Sequence, residues 1–531
     1  MNPALVALNR FGLGARPGEA ASLGSRRESR DWLMAQVGVS TVLRPRPGSA
    51  GLPDRSEAGA VLRGIQEAQR GDPETLRAAR AALAQVRVEE QVALLHHRAT
   101  TETPFAERLV GFWSNHLCVS FRARQPLVAL AGLYEREAIR PHIWGSFSDM
   151  VLASAQHPAM LIYLDNARST GPDSALSRAL NERRSRRQAA ATARGGTPPD
   201  APVPGINENH ARELLELHTL GVEGGYTQTD VGELARILTG WSVGGAGAPP
   251  GLGGPGMVAP PGPGMTPRGT YAEIELGFVF RDNSHEPGAF KLLGRRYDQP
   301  GAAKGEAAVR DLCRHPSTAR FVSGKLAAHF ISDDPPVEAV DQLAEVFLET
   351  GGDLAAVSRA LVQIDAPWGE ERGTGAGPGA AAGTGSASVS SANPGPRKFR
   401  SPQDWAVAAL RLLEPGARTP QVARALAPML DQLRHPVWGP PAPSGFGDRT
   451  ADWADPNALM NRAELARSLA QRLVPDGMAG PRRMAGPDAA SLASVVHLDP
   501  GDPLAEFLAD ASIPIPERVA LLLGGPAFQW R

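Results

Sequence analysis

Apolar residues recur at three- and four-residue spacing along most of this chain, and the runs are broken by Pro and Gly rather than by alternating strands. After Asp72-Pro73-Glu74, a cap followed by a proline at the first turn, Leu76, Ala79, Leu83, Val86, Val92 and Leu95 predict a helix to about His97. Thr103-Pro104 opens the next one. There Phe105, Leu109, Phe112, Trp113 and His116 fall on a single helical face, so His116 points along a large apolar stripe. Further helical patterns cover 126–138, 145–163, 302–364, 403–413, 420–433, 457–473 and 515–523. Short β-branched and aromatic runs at 271–280, 290–293 and 295–297 predict one small hairpin. The pattern therefore gives a mainly α protein, a multi-helix array with one small β-hairpin and long Gly/Pro-rich loops.

Residues 207–241, NENHARELLELHTLGVEGGYTQTDVGELARILTGW, are the densest mixture of carboxylates, bases and apolar residues. Asn207 reads as an N-cap, Gly221 as a stop, and Asp230 with Glu233 as a capping box for a second helix, making an αα-hairpin. At ~100° per residue, Ala211, Leu214, Leu215, Leu217 and His218 share one face; Asn209, Glu213 and Glu216 share the other, with Arg212 beside them. Carboxylates at i, i+3 can ligate a metal or divide acid and base roles once burial splits their pKa values. They can equally neutralise Arg212 and Arg236 as structural ion pairs. Both readings stand at this level. A divalent metal would need His116, His218 or His285 to converge with a carboxylate such as Glu213, since no HExxH or close His-x-His occurs.

Composition narrows the choices. In 531 residues, Lys+Arg 55 against Asp+Glu 56 leaves a net charge of -1, so no overall basic field attracts nucleic acid or an anionic membrane. Cys118 and Cys313 are the only cysteines, too few for a disulfide scaffold or a CxxC site. No run is long and apolar enough to span a bilayer, and the first twenty residues show no charged, apolar or twin-Arg leader. The chain as written thus reads as cytoplasmic, with export open if an upstream start exists. GLGGPG at 251–256 lacks the flanking strand and helix of a dinucleotide site, and the SGK ending at Lys325 lacks those of a phosphate loop. Residues 243–269 and 373–396 read as low-complexity insertions in one helical unit spanning 1–531, with 398–531 as a candidate C-terminal subdomain.

The central stretch resembles the bacterial domain-of-unknown-function (DUF) 1800 family, whose signature is close to NENHARELLELHTLG and YTQTDVGELARILTGW. FWSNHL at 112–117, RPHIWGSFSDMVLASAQHPAMLIYLDN at 140–166, KLAAHFISDDPP at 325–336 and GFGDRTADWADPNALMNR at 445–462 carry the likeness along nearly the whole chain. The resemblance implies one family-length helical unit and no reaction; it also implies frequent export and a sulfatase-like protein partner. The expectation is that Asn115, His116, Asp165, Asn166, Glu208, Asn209, Arg212, Glu213, Glu216, His218 and His285 meet in one buried polar centre, with Trp241 nearby. That centre would serve either an enzyme using Glu213, Glu216, His116 and His218, or a scaffold that pairs them.

Overall fold

A computed structural model describes residues 2–43, 51–69, 71–194, 205–244, 276–369, 397–413, 419–473, 489–498 and 501–531. The fold is mainly α, as the periodicity predicts. Both predicted insertions lie almost wholly outside the described residues. The elements that build the site are α1 (Pro73–Thr100), α2 (Pro104–His116), α3 (Pro158–Tyr163), α4 (Asn209–Glu213), α5 (Gln228–Ile237), α6 (Pro316–Phe330) and α7 (Pro402–Leu413). Asp72 caps α1 by accepting from the backbone N–H groups of Glu74 and Thr75, both at 2.9 Å. The buried half of α1 packs against Leu127–Tyr134, α7 and Thr419–Gln432.

Two small antiparallel sheets accompany the helices among the described residues. The predicted hairpin forms between β3 (Phe290–Leu292) and β4 (Arg295–Tyr297), while β2 (Phe278–Phe280) instead pairs with β1 (Trp241–Val243), in the register Trp241 opposite Phe280. Trp241 is thereby core: its ring fills the space beside Gly305, where a Cβ would lie 2.5 Å from it.

Two features of the helical hairpin differ from simple α periodicity. The cap of α5 is Thr227, not Asp230: the Thr227 hydroxyl and the Asp230 carboxylate form the capping box, and the Asp230 carboxylate also accepts from Leu293 N–H at 2.8 Å. Beyond Glu213 the helix widens into a π turn, Leu214–His218, closed by Thr219 Oγ1 donating to the Leu214 carbonyl at 2.6 Å. The extra residue per turn retards the phase, so Leu217 is left half-exposed while His218 stays buried.

The core runs continuously from the N-terminal segment to the C-terminal helices. Phe11 stacks on Phe330 of α6 at 5.6 Å and on Trp368 at 5.4 Å between centroids, and meets Phe105 of α2 edge-on at 5.9 Å. Residues 397–531 are sewn to this core by polar bonds. Arg400 donates to Asn9 Oδ1 at 2.8 Å, and Arg411 donates to the Gly14 carbonyl at 2.7 Å.

Candidate functional site

A cavity of about 630 Å³ lies between α2, α6, the start of α7 and the 435–452 loop, and it is open to solvent on one side. Its walls follow from helical spacing. Phe321, Lys325 and His329 stand at i, i+4 and i+8 on α6, and Arg108, Phe112 and His116 stand likewise on α2. The third wall is Pro/Gly-rich and is held by side chains. Asn115 donates to the Phe446 carbonyl at 2.9 Å and accepts from the Phe446 N–H at 2.8 Å, so one amide clamps the loop in both directions. Gly445 has φ +82°, and a Cβ there would lie 2.5 Å from the Asn115 carbonyl oxygen, which requires glycine.

His116 is 2 % exposed and ringed by Phe112, Trp113, Phe147 and Phe321. Its Nε2 lies 3.1 Å from the His218 carbonyl oxygen. A carbonyl can only accept, so Nε2 carries the proton and Nδ1 holds a bare lone pair, for which no partner exists among the described residues. Burial, and then the charge of Lys325, push the His116 pKa well below its ordinary value, so the ring is neutral.

His329 repeats this arrangement. Its Nδ1 lies 3.0 Å from Asp448 Oδ2 and its Nε2 has no partner among the described residues. Asp448 also faces Lys398 and Arg531, at 3.7 Å each. Burial raises the Asp448 carboxyl, but His329, Lys398 and Arg531 outweigh it and hold the group at about 2. An ionised Asp448 must accept, which fixes Nδ1–H on His329 and leaves Nε2 as the free base. Burial lowers the His329 pKa to about 4. Deeper still, Asp404 takes Arg108 at 3.2 Å and Arg531 at 3.5 Å.

Lys325 differs from the cations around it. Its surroundings are protein on nearly all sides, with residual solvent contact through the cavity, and burial lowers its pKa. Among the described residues no carboxylate or carbonyl is within hydrogen-bonding or ion-pairing reach; its contact is the face of Phe321, 5.6 Å from the ring centroid.

At the cavity's far edge the polar groups are fully paired. Arg140 donates to both oxygens of Glu107, at 2.6 and 3.0 Å, and to Glu135 at 2.8 Å; His97 meets Glu107 at 3.0 Å, and Trp438 donates to Glu135 at 2.8 Å. Burial alone would raise the Glu107 carboxyl, yet Arg140 and His97 overcome it and keep the group well below the usual carboxylate range.

A family model described as a protein of unknown function, DUF1800, matches residues 6–530, which include every wall of this cavity. The chain belongs to the DUF1800 family. Neither a curated protein nor a solved structure matches it. The DUF1800 match carries no reaction with it.

The polar residues expected to meet in one centre separate into three groups on this DUF1800 chain. His116 and His218 are joined through the His218 carbonyl. Asp165, Asn166 and Asn209 bind the end of α3 to the hairpin: Asn166 donates to the Leu238 and Trp241 carbonyls, and Asp165 pairs with Arg124. His285 belongs to a third group. Its Nδ1 faces the Thr239 carbonyl at 2.8 Å and its Nε2 accepts from Lys304 at 3.2 Å, with no partner shared with His116.

Glu213 and Glu216 are half-exposed. The arginines proposed to neutralise them are taken elsewhere, Arg212 by Glu208 at 3.3 Å and Arg236 by Glu233 at 3.0 Å. Burial and the charge of Glu216 raise the Glu213 carboxyl. Among the described residues no group of three or more His, Cys, Asp or Glu side chains is placed to hold a metal ion, and the set His116, His218 and Glu213 does not form one. Sequence reasoning missed Lys325, His329 and Asp448. The i, i+4, i+8 spacing of Phe321, Lys325 and His329 was the available signal.

Proposed function

We propose that the cavity is an active site for proton-transfer chemistry on a small organic substrate, with His116 Nδ1 and His329 Nε2 as its bases and Lys325 as its amine. One observation supports this reading above the rest. Two neutral imidazoles each spend one nitrogen on a fixed acceptor and keep the other nitrogen's lone pair unused, in the same cavity as an unpaired amine. Each of the two buried lone pairs costs free energy without a partner, as do those of His210 and of His218 Nε2; what sets His116 and His329 apart is the lysine amine that lines the same cavity. In this reading His218 is a positioning residue that orients His116 through its backbone carbonyl, and Glu213 and Glu216 stand outside the reacting set. The scaffold alternative describes the Glu107–Arg140–Glu135 network well but gives no account of Lys325.

A screen of small esters, amides and carbonyl compounds tests the proposal. Turnover by the native chain should fall about 10²- to 10⁴-fold in His116→Gln and in His329→Gln, the range expected for loss of a general base, with circular dichroism unchanged. Turnover that survives both substitutions would place the chemistry elsewhere.

A further inference from the structure

We infer that Lys325 is a carbonyl-capturing amine, so that the cavity takes an aldehyde or ketone and holds it as an imine on Nζ. This inference rests on the acid–base reading of the same cavity.

Composition makes lysine informative in this chain. Only four of the 55 Lys+Arg residues are lysines: Lys291, Lys304, Lys325 and Lys398. Cationic roles are otherwise filled by arginine, including the buried ion pairs of Arg108, Arg140 and Arg531. Lys291 is exposed. Lys398 is fixed by Asp333 at 2.8 Å, and Lys304 donates to the Gly288 carbonyl at 2.6 Å. Lys325 alone among the four is both enclosed and without a polar partner. A guanidinium cannot lose its proton in a protein, whereas an amine can, and only the free amine is a nucleophile.

The surroundings suit that use. An ammonium is costly where protein surrounds it, and burial outweighs the opposing charge of Asp448, so the neutral amine is favoured relative to an exposed lysine. Cys118, the competing nucleophile on the wall, is disarmed: burial pushes its thiol up to about 12, and its Sγ donates to the Pro443 carbonyl at 3.2 Å. The rim arginines Arg320 and Arg449 already face Asp341 and Asp334, which leaves Lys325, among the described residues, without the second free cation an anion site would use.

The step balances without an oxidant. The Nζ lone pair forms a bond to the carbonyl carbon while the C=O π pair moves onto oxygen. The surplus proton on nitrogen passes by way of His116 Nδ1 to that oxygen, giving a carbinolamine. The remaining N–H proton passes the same way to the hydroxyl, the C–O bond breaks, and water leaves as C=N forms. Amine and carbonyl become imine and water, with no change of oxidation state.

The test treats the full-length chain at neutral pH with propanal and sodium cyanoborohydride, whose hydride reduces the imine to a stable secondary amine, and maps the product by peptide mass spectrometry. Lys325 should be alkylated several-fold faster than exposed Lys291, since a depressed pKa enlarges the free-amine fraction. His116→Asn should slow alkylation of Lys325 and leave that of Lys291 unchanged. Alkylation of Lys291 with Lys325 untouched would overturn the inference. A parallel acetic anhydride titration separates the two ways of failing. If Lys325 acetylates with a depressed apparent pKa yet forms no imine, the carbonyl inference falls and the acid–base reading stands. If Lys325 resists both reagents, it is a packed amine and both lose their amine.

Discussion

Individual side chains in this protein carry unusually clear costs. Lys325 is an amine without a polar partner, so Lys325→Met should raise stability, by about 1 kcal/mol, while abolishing any chemistry that needs the amine. Urea unfolding would show the first effect, and an unchanged or lower midpoint would contradict it. His210 is fully buried with neither ring nitrogen partnered among the described residues, and burial lowers its pKa from 6.5 to about 4. The unfolded chain therefore takes up this proton first as pH falls. The stabilising effect of a neutral His210 is complete above pH 6.5 and declines between 6.5 and about 4. His210→Phe should flatten the stability-against-pH profile in that window by up to ~1.4 kcal/mol per pH unit. Histidine-selective nitrogen NMR at pH 7 gives a third check, with His116 expected as the Nε2–H tautomer and His329 as Nδ1–H.

Elements place these residues by different means, and they differ in how readable they were. The α2 stripe was legible because 3.6-residue periodicity alone puts His116 with Phe112 and Trp113. The α6 face was equally periodic, yet Lys325 and His329 gain meaning only beside α2 and Asp448, more than a hundred residues away in either direction. The 435–452 loop has no periodicity to read; its shape comes from Asn115, Gly445 and the Trp438 indole. The π turn at Leu214–His218 is likewise invisible to a 100° wheel, on which Leu217 and His218 fall on the same face. Asn115→Ala tests the clamp. Losing both amide bonds should cost ~1–3 kcal/mol and speed hydrogen exchange at Phe446 while that of α2 stays slow. Arg140→Met would strand Glu107 and Glu135 together in the interior, at an expected cost of ~3–5 kcal/mol, measured by thermal unfolding.

At the scale of the molecule, the mainly α architecture and the two-stranded hairpin were readable from spacing, because both depend on local periodicity. The pairing of β1 with β2 was not, since residues 245–275 intervene and nothing local specifies the register. The site was readable only in part: His116 was found by its helix, whereas the groups facing it come from chain segments joined solely by the tertiary fold. Arg531, Lys398 and Arg400 join the last residues to the cavity floor and the N-terminal segment. Proposed subdomain 398–531 should accordingly unfold together with the remainder, as a single calorimetric transition rather than two.

The scarcity of lysine has a practical consequence. A protein with one enclosed, solvent-reachable amine and few competing ones carries a native attachment point inside its own cavity. A small amine-reactive fluorophore directed to Lys325 would report what enters the pocket as a change in brightness. Compound libraries could then be sorted by occupancy on the unaltered chain, before any reaction is known.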